Sequence, residues 1–133
     1  MSTIRRRLVE ERGQALIEGL LALGLVLFVV AIAAQTIGYV HTRNVAEAAA
    51  QDGARTAAID GPQAGVERAQ AVLAAAGGAG VGMHAAATVN DGEVTIEVDG
   101  QAPRLFALPF TLPAVSASAS LPLEQYTNTG TGP

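Results

Sequence analysis

The chain has 133 residues, a formal net charge of −4 and no cysteine, so a disulfide framework, thiol catalysis and zinc–thiolate sites are all excluded. The charge is unevenly placed. Arg5, Arg6, Arg7 and Arg12 against Glu10 and Glu11 leave residues 1–13 at +2, so the remainder carries −6; an acidic body of this kind has no electrostatic affinity for nucleic acid or anionic lipid.

Residues 1–13 read as a short basic leader on the cytoplasmic side, too charged and too short to fold alone and open to removal. From Gly19 to Val40 there are 22 residues without a charge. A helix of that length spans about 33 Å at 1.5 Å per residue, against a hydrocarbon core of about 30 Å. Residues 19–34 are apolar all round, and a helix with no polar face belongs in lipid or at a fully buried site. A chain this small has no core that could surround it, so residues 14–40 are expected to form a transmembrane helix, starting at about Ala15. Basic residues before a span keep that end inside, which places the C-terminal body outside. The lone acid Glu18 sits in the first turns of the span. On insertion scales an Asp, Lys or Arg at mid-bilayer costs about 2.5–3.5 kcal/mol, and the position of Glu18 near the cytoplasmic end lowers that cost.

Residues 41–60 continue the helix outside the bilayer, with good helix formers, no proline, and pairs Arg43–Glu47 and Asp52–Arg55 at helical spacing. Gly53 costs about 1 kcal/mol relative to alanine there. The mainly alanine surface of this segment lets a partner come close. Asp60-Gly61-Pro62 ends it. Residues 63–76 show a second, shorter helix with Val66, Ala69, Val72 or Leu73, and Ala76 on one face. Gly77, Gly78, Gly80 and Gly82 form a flexible connector that lacks the GK[ST] of a phosphate-binding loop.

The period then becomes alternating. Val94, Ile96 and Val98 face one way and Glu93, Thr95, Glu97 and Asp99 the other, a half-buried strand entered through the hairpin signal Asp91-Gly92. Pro103, Pro109 and Pro113 keep LFALPFTLPAV in a loop or at an edge. VSASASLPL, residues 115–123, forms a last strand, and the tail over 125–133 is polar and expected to be disordered. The fold class is α+β: a long N-terminal transmembrane helix, a short helix and a small antiparallel sheet, with residues 61–124 as the exterior αβ domain.

No constellation for catalysis emerges. The acids Asp91, Glu93, Glu97 and Asp99 lack the cadence of a calcium loop and read as a solvated strand face. His41 lies just past the span, His84 is isolated, and Ser116, Ser118 and Ser120 carry no nucleophile elbow. The sequence points to a protein that is not an enzyme, with no cofactor, no metal and no small-molecule substrate.

A basic leader ending in Gly13, a Glu five residues on and a long apolar helix resemble the precursors of type IV pilin-like proteins. RGQALIEGLLALGLVLFVVAIA and the alanine-rich NVAEAAAQDGARTAA, with the small-residue strand VSASASLPLE, are most similar to TadE-like minor pilins (pseudopilins) of tight-adherence, or Flp, pili. The resemblance covers residues 10–60 well and the rest loosely. It implies cleavage between Gly13 and Gln14 by a prepilin peptidase. It also implies neutralisation of Glu18 by the N-terminal amine of a neighbouring subunit. The implied partners are the bilayer, other pilin and pseudopilin subunits and the assembly platform, and the implied location is the inner membrane or a surface pilus. Two features depart from the pattern: Gly19 stands where Flp-type pilins favour an aromatic, and Gln14 can cyclise and lose its amine charge. Two other readings remain open. One is a secreted domain whose signal peptide is cut before Ala34, and the other is an anchored exterior binding domain with no filament role.

Overall fold

The computed structural model describes residues 2–124. Helix α1 runs Ser2–Asp60, helix α2 Pro62–Ala75, and strands β1, β2 and β3 run Met83–Asn90, Glu93–Gly100 and Val115–Pro122. The fold is α+β, with a long N-terminal helix, a short helix and one antiparallel sheet in the order β1-β2-β3. The polar tail expected over 125–133 lies outside the described residues.

Two compact units divide the chain, one ending at Thr36 and the other beginning at Ile37. The first holds the N-terminal part of α1. Its helix begins at Ser2 and so takes in the leader, upstream of Ala15, where the span is expected to start. Leader residues 2–12 contain neither glycine nor proline, so a helix nucleated in the apolar run propagates backwards through them at one hydrogen bond per residue. Every residue from Gln14 to Val30 is exposed. Within Glu10–Asp60, α1 is long and apolar enough to cross a membrane, and its most apolar stretch is unburied. Eleven large apolar side chains lie exposed between Leu16 and Val30. At about 1.5–3 kcal/mol for each such side chain taken out of water, they forgo more free energy than the roughly 5–15 kcal/mol that holds a typical domain together.

The second unit contains a packed core. The buried positions Thr42, Ala46, Ala49, Ala50, Gly53, Ala54 and Ala57 form one stripe along α1 at helical spacing. Opposite it lie the fully buried Val94, Ile96 and Val98 of β2 and the buried Val115 and Ala117 of β3. The alternation read from the sequence of β2 is the alternation observed. Alanines on the helix let the sheet approach closely, and the branched residues of the central strand fill the space.

Gly53 faces α2. A Cβ placed on it would lie 2.8 Å from the Gly65 carbonyl oxygen, 3.0 Å from the Ala69 Cβ and 3.2 Å from the Ile96 Cγ2. One on Gly65 would meet Ala57 and the Gly53 carbonyl. The glycine that looked like a weak point in the helix is therefore the contact where two helices and the sheet converge. Beside it, Arg68 of α2 pairs with Asp52 at 3.1 Å, and the expected pairs Arg43–Glu47 and Arg55–Asp52 form at 3.1 and 3.6 Å. All are exposed enough that each contributes only about 0.2–1 kcal/mol.

The glycine-rich connector is ordered into a 3-10 turn at Gly77–Gly80, which buries Ala79 against the core side. The β1–β2 hairpin closes through Asp91 (φ 50°) and Gly92 (φ 79°). Two successive positive φ values mark the type I′ turn, whose twist matches that of paired strands. The pairing Asn90↔Glu93 fixes the register. At the same end of the sheet, Leu123 N–H donates to the Gly92 carbonyl and Glu124 N–H to the Ala58 carbonyl, at 2.8 and 3.1 Å.

Candidate functional site

The residues singled out by the sequence lie along the first turns of α1, which places Arg5, Arg6, Arg7, Arg12, Gly13, Gln14 and Glu18 in helical backbone. Arg7 and Arg12 are exposed. Gly13 has no positive φ among the described residues, and a Cβ added there would meet nothing within 4 Å. Among the described residues, neither backbone conformation nor packing requires glycine at this position. A glycine inside a helix also lowers the cost of opening it locally, by about 1 kcal/mol relative to alanine.

Glu18 is exposed and makes no ion pair among the described residues. The positions one helical turn away on either side are Gln14, Ala15, Leu21 and Ala22, and none is a cation, so the helix cannot neutralise its own carboxylate. Leu16, Ile17, Leu20 and Leu21 surround it and are all exposed. The arrangement is an acid on an apolar helix face with no counter-charge one turn away and no ion pair among the described residues. Gln14 lies one turn before Glu18, about 6 Å along the axis. A chain beginning at Gln14 would bring both a terminal amine and the positive end of the helix dipole to that turn.

The other candidates are not brought together. His41 and His84 are both exposed, and Asp91, Glu93, Glu97 and Asp99 lie on exposed strand positions and a turn. No group of three or more metal-ligating side chains occurs among the described residues. Ser120 Oγ lies 2.7 Å from Thr95 Oγ1, across the β2–β3 pair. A shallow recess lined by Arg55, Ala58, Ile59, Leu121, Pro122 and Glu124 opens near the end of α1, with a volume of about 370 Å³.

The prolines place LFALPFTLPAV, residues 105–115, in a loop or at an edge, and in the structure residues 101–114 link β2 to β3, with Val115 already in the strand. The structure brings this loop back to α1, with Leu105 Cδ1 3.2 Å from where a Cβ on Gly38 would stand. The available signal was the run of large apolar residues Leu105, Phe106, Leu108, Phe110 and Leu112 set between prolines. Compared with family models, curated proteins and solved structures, the chain matches none.

Proposed function

We propose that the chain is a single-pass, membrane-anchored pilin-like subunit of the TadE-like class, acting in assembly of a tight-adherence pilus. In this reading the basic leader lies on the cytoplasmic side of the inner membrane and the αβ unit outside. A prepilin peptidase cuts between Gly13 and Gln14, and the helix then packs against those of other pilin and pseudopilin subunits at the assembly platform.

The observation that carries the reading is Glu18: a single acid among exposed leucines and isoleucine, with no cation one turn away. A carboxylate in lipid is costly, and an opposite charge within a few ångströms favours its ionised form. A neighbouring subunit's terminal amine supplies that charge once the leader is gone. Assembly then becomes the step that relieves the cost, which couples membrane extraction to correct pairing. The exposed apolar surface of α1 adds a second support, because helices leaving lipid together can keep it covered. Gly13, which no packing among the described residues requires, fits a position set by a peptidase.

Glu18→Ala and the isosteric Glu18→Gln are expected to insert into the membrane at wild-type levels and to lose pilus assembly, measured by membrane fractionation and surface pilin yield. Normal assembly in both variants would remove the proposed role of Glu18. N-terminal sequencing of the mature protein separates the readings: Gln14 supports the pilin, Ala34 a secreted domain, and Met1 or Ser2 an uncut anchor.

A further inference from the structure

The connection between β2 and β3 is the part of the second unit that its core does not explain. The two strands pair directly, Gly100↔Val115, and such a hairpin needs only about 2–5 linking residues. Here residues 101–114 intervene, carrying Leu105, Phe106 and Phe110 at 54, 45 and 43% exposure. The other large exposed apolar side chains of the exterior segments, Ile59, Val81 and Val89, are widely separated in sequence.

Leu105 fixes where this loop sits. It contacts α1 at Gly38, two residues before the end of the uncharged run Gly19–Val40. The first charged residue after that run is Arg43, and Gly38 lies about 7–8 Å before it along the helix axis. An element lying in the membrane interface buries its apolar face about 5–10 Å into the boundary between headgroups and acyl chains. If α1 crosses the bilayer with its uncharged run in the hydrocarbon, the loop is therefore at interfacial depth. The helix residues beside the contact, Ile37 and Val40, are themselves 70 and 48% exposed.

The composition of the loop suits that position. Pro103, Pro109 and Pro113 have no backbone N–H, which reduces the number of donors that irregular backbone must leave unsatisfied in a dry environment. Its only charge is Arg104, which is exposed and forms no ion pair among the described residues. A guanidinium pairs well with lipid phosphate. The surrounding unit is acidic, so apolar burial, not net charge, holds the loop in place.

We infer that residues 103–112 form a second membrane contact, a loop that lowers Leu105, Phe106 and Phe110 into the leaflet from which α1 emerges, with Arg104 at the phosphate level. The inference rests on α1 crossing the bilayer and is independent of filament assembly. The loop gives the αβ unit a lipid contact of its own, besides the anchor that α1 provides.

The absence of cysteine makes the test direct. Phe106→Cys, Phe110→Cys, Leu25→Cys and Thr88→Cys are made in the full-length chain, labelled with NBD and reconstituted in phosphatidylcholine vesicles with and without shallow doxyl-labelled phosphatidylcholine. All four replaced residues are exposed, so the core is left intact. Labels at 106 and 110 are expected to show blue-shifted emission and loss of fluorescence with doxyl lipid, as at 25, while the label at 88 on the outer sheet face stays water-like. Labels at 106 and 110 that behave like 88 while 25 is quenched would overturn the loop contact and leave the span standing. If 25 is also unquenched, the span and the loop contact both fall.

Discussion

Thr42 is fully buried, yet its Oγ1 has no hydrogen-bond partner among the described residues. A buried hydroxyl left unpaired costs about 1–3 kcal/mol, and removing it with a group of the same shape returns much of that. Thr42→Val is therefore expected to raise stability by about 1 kcal/mol, read as an increased denaturation midpoint with an unchanged slope. Glu18 presents the opposite case. Its carboxylate is equally without an ion-pair partner among the described residues but exposed, so its cost arises in lipid and its removal is expected to alter assembly and leave folding untouched. Two unpaired polar groups on one helix thus have different consequences because their surroundings differ. Both residues could be read from the chain, but only Glu18 announced itself. Nothing in the sequence shows that Thr42 faces inward, because the stripe it shares with Ala46, Ala49 and Ala50 is defined by what packs against the helix and not by the helix itself.

Among the elements, the crossing of α1 and α2 decides how the second unit packs. Helix propensity alone makes Gly53→Ala stabilising by about 1 kcal/mol. The geometry reverses the sign: the new Cβ would press on the Gly65 carbonyl, which is backbone and cannot rotate away. Overpacking of this kind typically costs about 1–3 kcal/mol. Gly53→Ala should accordingly lower the thermal midpoint, and an unchanged or raised midpoint would show that the helices can separate without loss. The positions of α2 and β2 and the turn at Asp91-Gly92 were legible because each follows from local rules: helical spacing of apolar residues, alternation in a strand, and two residues suited to positive φ. Pro62, read as the end of α1, proves to be the first residue of α2. The ordered turn at Gly77–Gly80 was not, since consecutive glycines are compatible with many conformations and the packing of Ala79 selects one.

At the scale of the whole molecule, two environments meet in one helix. The buried cluster lies between Ala46 and Ala117, entirely within the unit that begins at Ile37, whereas the apolar residues of the first unit are exposed. A chain of residues 37–133 is expected to remain soluble and to unfold in one cooperative transition. The full chain should require detergent or lipid to stay dispersed. Circular dichroism with urea and sedimentation in the absence of detergent would check both expectations. Loss of cooperative unfolding on truncation would mean that the N-terminal half of α1 contributes to the core.

The sequence by itself determined that the N-terminal helix carries a stretch long and apolar enough to cross a membrane, because a 22-residue uncharged run has a length and a solvent preference that depend on no other part of the chain. It also determined the inward face of β2, since a period of two allows only one buried set. What the alanine surface of α1 packs against, why Gly53 is a glycine and where the proline-rich loop rests were decided by tertiary structure. Each depends on contacts between segments far apart in the chain. A small residue records only that something comes close, and the fold alone supplies what that something is.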